Sequence, residues 1–195
     1  MAITNGYCTL QEFKDSINTT STNATDDGVI EDIIEGVSRD IDNFTGRTFY
    51  ARTETHYYDV PSGNLHIDDD DLLTVTTLTN GDASVISSND YKLFPLNRSP
   101  KFEIGLLSSS SVSWESDSSG NTVGVISLLG TWGFTATAPH DIRELCRLES
   151  IARYNKRFGQ NMNNSTTITA AGVVITPKGF SDDSIRTLSR YVRLV

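Results

Sequence analysis

Residues 26–46 read DDGVIEDIIEGVSRDIDNFTG, and this stretch decides the kind of fold. Ile30, Ile33, Ile34, Val37, Ile41 and Phe44 stand at i, i+3, i+4, i+7, i+11 and i+14, which is one face of a 3.6-residue helix. Asp26 and Asp27 place negative charge at the positive end of the helix dipole. Gly46 stands where a left-handed C-terminal cap belongs. The spacing predicts a helix over 26–45. β-Branched residues are weak helix formers, so packing rather than propensity must hold it.

Working outward toward the N-terminus, Thr9 and Glu12 form a capping box ahead of Leu10, Phe13 and Ile17. They predict a short helix over 9–18, followed by a polar loop at 18–25. On the other side the period changes from 3.6 to 2. Thr53–Tyr58, Leu65–Ile67, Leu73–Leu78, Tyr91–Phe94, Phe102–Leu106 and Val123–Leu129 read as short strands, and Asn80-Gly81-Asp82 reads as a hairpin turn. Turns at this spacing predict a small antiparallel sheet or barrel. The serine-rich run 108–122 reads as an exposed hairpin tip or mobile loop, with Trp114 packed on its own hairpin. Gly130-Thr131-Trp132-Gly133-Phe134 reads as a structural corner, the Trp folding back to clamp the third helix on the strands.

Pro139 opens that third helix, over 140–158. Ile142, Leu145, Cys146, Leu148, Ile151 and Ala152 supply its apolar surface. Arg143, Arg147, Tyr154 and Arg157 form a basic face. Beyond a polar linker, Ile168–Ile175 reads as a short strand or extended arm. Ser181 caps a last helix with Asp182 and Asp183 in its first turn. Ile185, Leu188 and Val192 make the apolar stripe of that helix, and Arg186, Arg190 and Arg193 a basic ridge. The expected class is therefore α+β: a mostly helical bundle of about four helices, with an inserted small antiparallel sheet or barrel and an extended C-terminal arm. The body spans 1–159 with its β-insertion at about 53–135, and residues 160–195 are the arm and docking helix.

The chain has 195 residues, 16 basic against 25 acidic, for a formal charge of −9. The charge is uneven: residues 1–138 hold 7 basic and 20 acidic side chains, and 139–195 hold 9 and 5. An acidic body with a basic C-terminal third suits complementarity between copies or with a larger assembly. The acidic balance disfavours a general nucleic-acid binder. No apolar run approaches the roughly 18 residues of a membrane span, and Met1–Leu10 lacks the pattern of a signal peptide. Cys8 and Cys146 lie far apart in sequence with no CxxC, so they offer neither a disulfide framework nor a zinc site, as suits a reducing cytoplasm.

Asp68-Asp69-Asp70-Asp71 is the most conspicuous candidate for chemistry, because hard cations want oxygen ligands. Adjacent residues on an extended chain point to alternate faces, however, and the run reads as a solvated acidic turn. His56 and His66 could face each other across a hairpin, but neither has a metal-site partner at helical spacing. No nucleophile elbow, P-loop or dinucleotide fingerprint is present.

Several pieces together resemble one family. Tyr7-Cys8-Thr9-Leu10 leads a short helix, and the acidic-start helix ends in IDNFTGRTFY at 41–50. LHIDDDDLLTV at 65–75, YKLFPLN at 91–97 and GTWGF at 130–134 follow, and then Pro139 and an arginine-containing helix. In this order they are similar to the head–tail connector proteins (adaptor, or head-completion, proteins) of tailed bacteriophages, over most of residues 7–158. The long β-region and the serine-rich tip depart from the common pattern.

The resemblance implies a structural virion protein of the neck, assembled in the host cytoplasm, with no enzymatic activity, catalytic residue, cofactor or metal. It implies a homo-oligomeric ring, typically a dodecamer, that binds under the portal protein and extends the DNA channel. Genomic DNA would pass without sequence-specific binding, and no membrane would be involved. The ring would offer a platform for a stopper or tail-completion protein. The C-terminal segment in such proteins docks on the portal. Here that makes Ile185, Arg186, Leu188, Arg190, Val192 and Arg193 the candidate docking residues, and Arg143, Arg147 and Arg157 candidates for inter-subunit pairs. The alternatives are another neck or tail protein, such as a stopper or tail terminator, or a metal-dependent hydrolase using Asp68–Asp71 and His66.

Overall fold

The computed structural model describes residues 3–17, 26–158, 167–168, 174–175 and 179–193. The chain divides into two compact units: a helical unit from the chain up to Gly46 and from Ala138 onward, and a β unit, Arg47–Thr137, inserted between them in sequence. The fold is α+β, as the sequence predicts.

The helical unit contains α1 (Leu10–Ser16), α2 (Asp27–Thr45), α3 (His140–Phe158) and α4 (Asp182–Leu188). The capping box of α1 is complete: the Thr9 side chain accepts from the Glu12 amide, and the Glu12 carboxylate accepts from the Thr9 amide at 2.8 Å. α2 ends at Gly46, whose φ of 65° is the left-handed conformation glycine adopts without strain. Its buried residues are Ile30, Ile34, Val37, Ser38, Ile41 and Thr45. Phe44, placed on the stripe by spacing, is instead exposed. Ser38 and Thr45 fit on the buried face because their hydroxyls donate back to the carbonyls of Ile34 (2.8 Å) and Ile41 (2.9 Å). On α3 the buried residues are Ile142, Leu145, Cys146, Glu149 and Ser150. Leu148 points outward, 54% exposed.

The β unit holds two antiparallel sheets. One has the order β1-β7-β3-β4, from β1 (Arg52–Tyr58), β3 (Leu72–Thr79), β4 (Val85–Ile86) and β7 (Ile126–Trp132). The other has the order β2-β6-β5, from β2 (Leu65–His66), β5 (Tyr91–Phe94) and β6 (Glu103–Leu106). No barrel closes. The core between them is apolar: Leu65, Ile67, Leu72, Leu78, Ile86, Tyr91, Ile104, Ile126, Leu128 and Trp132. β7 runs three residues further than its sequence pattern indicated, through Gly130. A Cβ at Gly130 would press on the Thr74 carbonyl oxygen and the Leu72 side chain, so close strand approach requires glycine there. Gly133, at φ 132°, turns the chain beneath the Tyr50 carbonyl.

One further reading changes. Trp132 is a β-unit core residue. Its indole stacks on His56 at 3.8 Å and its Nε1–H donates to the Glu54 carbonyl at 2.9 Å. The serine-rich run stays largely exposed, as expected, and is tied down at Asn80 and Trp114. Asn80 donates to the Ser113 carbonyl and accepts from the Glu115 amide, while Trp114 donates to the Gly63 carbonyl at 2.9 Å and packs against the apolar core. After α3, two short strands, β8 (Thr167–Ile168) and β9 (Val174–Ile175), pair antiparallel where a strand or extended arm was expected. The polar stretch 18–25 lies outside the described residues.

Candidate assembly surfaces

The last helix is held on its own unit. Ser181 caps it, accepting from the Ser184 amide. The Glu149 carboxylate of α3, almost wholly buried, accepts from the Ser181 amide at 3.0 Å and from the Ser184 hydroxyl at 2.5 Å. The Tyr191 hydroxyl donates to both oxygens of Asp141, at 2.9 and 2.8 Å. Burial and that carboxylate push its ionisation up to about 12. The Arg193 amide donates to the Thr45 carbonyl at 2.8 Å, capping one of the open carbonyls of α2. Phe180 meets Phe44 edge-on.

The six docking candidates therefore divide. Leu188 is fully buried and belongs to the interior of the helical unit. Ile185 and Val192 are partly exposed, and Arg186 and Arg190 are exposed. Arg186 lies 3.7 Å from Asp183, an exposed pair that contributes little. The expected ridge of arginines at helical spacing is corrected, because α4 ends at Leu188. The amides of Arg190 and Tyr191 bond to the carbonyls of Thr187 and Leu188, which tightens the last turn and takes Arg190 and Arg193 off the helix.

Of the three arginines singled out on α3, Arg143 and Arg147 have hydrogen-bonded partners among the described residues. Arg143 pairs with Glu12, so one carboxylate both caps α1 and ties it to α3. The Thr9 amide and the Arg143 guanidinium hold Glu12 below the usual carboxylate range, against the opposing effect of burial. Arg147 donates to the Ser16 hydroxyl at 2.6 Å and to Glu144 at 2.5 Å. Arg157 is exposed at the end of α3, its guanidinium over the Phe158 ring. A further α3 arginine, Arg153, pairs with Asp40 of α2 at 2.7 Å.

The aspartate run is part solvated turn and part clasp: Asp68 and Asp69 are exposed, as expected, while Asp70 and Asp71 turn inward. Asp71 accepts from Arg47 through both oxygens at 2.7 Å, and Asp70 pairs with Arg52. Both carboxylates are buried. Asp69 accepts from Tyr58 at 2.7 Å and is bonded to His56. Burial acts to raise its ionisation, but these hydrogen bonds prevail and hold it low. His56 and His66 do not face each other: His56 lies opposite Leu128 of β7, and His66 opposite Glu103 of β6. Among the described residues, no three His, Cys, Asp or Glu side chains gather where a metal ion could sit. No described helix is long and apolar enough to cross a membrane.

The sequence reading missed two groups. Glu149 and Ser150 sit at i+3 and i+4 from Cys146, on the same face as Ile142, so their spacing was the available clue. Cys8 and Cys146, remote in sequence, meet with their sulfurs 3.7 Å apart as free thiols.

No family model and no curated protein matches the chain. Solved structures of similar fold do. A chain described as "Neck of empty GTA particle computed with C6 symmetry" matches with a TM-score of 0.63 at 15% identity, covering 100% of this chain and 94% of its own. One described as "Neck of native GTA particle computed with C12 symmetry" matches with a TM-score of 0.61 at 16% identity, covering 100% and 93%. A third, from the "Virion of native gene transfer agent (GTA) particle", matches with a TM-score of 0.60 at 15% identity, covering 100% and 94%. At these identities the likeness establishes a shared fold, spanning the whole of this chain.

Proposed function

We propose that this chain is a ring-forming structural protein of a phage-type particle neck, an adaptor that binds under the portal and carries the stopper or tail. The observation that carries this reading is the end-to-end fold likeness to neck chains from particles computed with C6 and C12 symmetry. A ring of twelve is the stoichiometry proposed. Ring closure needs a heterologous interface, in which one face of a copy meets a different face of the next. Acidic α2 and the exposed basic groups of Arg157, Arg186 and Arg190 supply unlike charge for such a contact. DNA would pass without sequence-specific grip, since a net-acidic chain does not hold phosphates tightly.

In this reading α4 stays packed and, with the turn that follows it, presents Ile185, Arg186, Arg190 and Val192 to the portal. Deleting Gly179–Val195 would uncover Glu149 and the bed of Leu188, so charge reversal is the better test. Arg186→Glu with Arg190→Glu leaves the packed side of α4 intact. Electron microscopy of purified chain mixed with emptied heads should show a ring at the portal vertex, which the double variant forms at least about tenfold less often if the two charges guide docking. Normal ring decoration by the variant would remove α4 from the docking surface. A wild-type chain that never decorates heads would overturn the adaptor role.

A further inference from the structure

Nothing in the fold or in the proposed ring accounts for the thiols of Cys8 and Cys146. They stand 138 positions apart, both buried, and Cys8 donates its S–H to the Cys146 sulfur at 3.7 Å. A disulfide places its sulfurs about 2 Å apart, so closing this pair asks for less than about 2 Å of approach. The two sides differ in what can yield. Cys146 is fixed within α3. Cys8 belongs to the irregular segment ahead of α1, laid on α2 through the Tyr7 amide to Ser38 Oγ (3.0 Å) and Arg39 to the Asn5 carbonyl (2.9 Å).

Access and reactivity are also built in. Cys8 lines a surface depression of the helical unit, together with His140, Arg143 and Arg147. Cys146 lies behind it, with the Ser38 hydroxyl 3.4 Å from its sulfur. The Cys8 S–H, and after it Ser38, hold the Cys146 thiol down to about 7 in spite of burial. The shared proton accordingly rests on Cys8.

We infer that Cys8 and Cys146 are a redox pair that peroxide closes into an intramolecular disulfide, fastening the segment before α1 to α3. The proton first passes along the 3.7 Å hydrogen bond from Cys8 to Cys146, and the Cys8 thiolate so formed attacks hydrogen peroxide entering the depression. The O–O bond breaks, the departing hydroxide takes the proton now on Cys146 as water, and Cys8 becomes a sulfenic acid. The Cys146 thiolate then attacks the Cys8 sulfur. The S–S bond forms, the S–O bond breaks, and the second hydroxide takes up a proton as water. Two sulfurs lose two electrons in all, and one peroxide is reduced to two waters. The inference stands apart from the ring, since it uses only the isolated chain.

The test treats the purified full-length chain with hydrogen peroxide, then counts thiols after denaturation and maps peptides without reductant. The expected result is loss of both thiols, one peptide pair joined through Cys8 and Cys146, and a melting temperature raised by about 5–10 °C that dithiothreitol reverses. Cys8→Ser, at the surface depression, should abolish both the link and the shift, and Cys146→Ser provides the same control from the other side. Thiols that survive peroxide in the folded chain, sulfinic or sulfonic acids in place of the link, or disulfides between chains would each overturn the inference. A link that forms without raising the melting temperature would overturn the fastening.

Discussion

The β unit and the helical unit handle polar groups in opposite ways. The β unit has an apolar central cluster and keeps its buried polar side chains beside it, Asp70 and Asp71 each against an arginine and Asn80 against the backbone at Ser113 and Glu115. The helical unit lets polarity into its packed faces: Ser38, Thr45, Glu149, Ser150 and Ser184 are all buried, beside the thiols of Cys8 and Cys146. The difference teaches where specificity lies. An apolar core gains by area and tolerates approximate fits, whereas a buried hydroxyl or carboxylate is favourable only with its partner in place. The helical unit is therefore held in one arrangement by a few polar joints, and α4 is attached by them together with its buried Leu188.

The largest test of this contrast is Trp132→Ala. It removes the biggest side chain of the apolar centre, and large-to-small core changes of this kind cost about 3–5 kcal/mol. Denaturant unfolding followed by hydrogen exchange over β1, β3 and β7 should report that loss. A cost below about 1 kcal/mol would mean that the β unit does not depend on its core in the way described.

Glu149→Ala probes the other side. It strips the acceptor from the Ser181 amide and the Ser184 hydroxyl, and although the latter keeps the Ser181 hydroxyl at 2.8 Å, the lost hydrogen bonds to a carboxylate cost about 1–3 kcal/mol. Amide exchange in Asp182–Leu188 should accelerate accordingly, with α2 and α3 nearly unchanged. If α4 keeps its protection, polar joints do not hold it.

The smallest effect is a pH response of the same attachment. Tyr191 ionises near 10 when unfolded and near 12 in place, so the folded value is raised. A raised value means the contribution is complete below the unfolded pKa and is lost as pH rises through the folded one. Protection of the last turn should thus fade between about pH 10 and 12, and Tyr191→Phe should remove that dependence while leaving the neutral-pH fold. An unchanged alkaline profile in the variant would assign the loss to other groups.

The same contrast explains what could be seen in the sequence. Apolar period and capping residues were enough for α3 at 140–158, for β5 at 91–94 and for Gly46 as a C-terminal cap. They failed where a buried face is continued by polar residues. Counting apolar side chains put Phe44 and Leu148 inside and overlooked Thr45 and Glu149. β3 blurred for another reason: its register against β7 shifts between Leu72 and Thr74 and again between Val75 and Thr77, so a strict two-residue alternation cannot follow its faces. The aspartate clasp was hidden because its partners, Arg47, Arg52 and Tyr58, come from a different strand region. The meeting of Cys8 with Cys146 has no local sign at all.

One hydroxyl sets a dimension of the molecule. Ser38 Oγ receives the Tyr7 amide, gives its own proton to the Ile34 carbonyl and rests 3.4 Å from the Cys146 sulfur. The N-terminal segment, α2 and α3 all abut this single atom, which acts as a gauge for the gap between the two long helices. Valine there would wedge them apart and glycine would let them sag, so the clearance that α1 and α4 build upon is written in the size of one side chain.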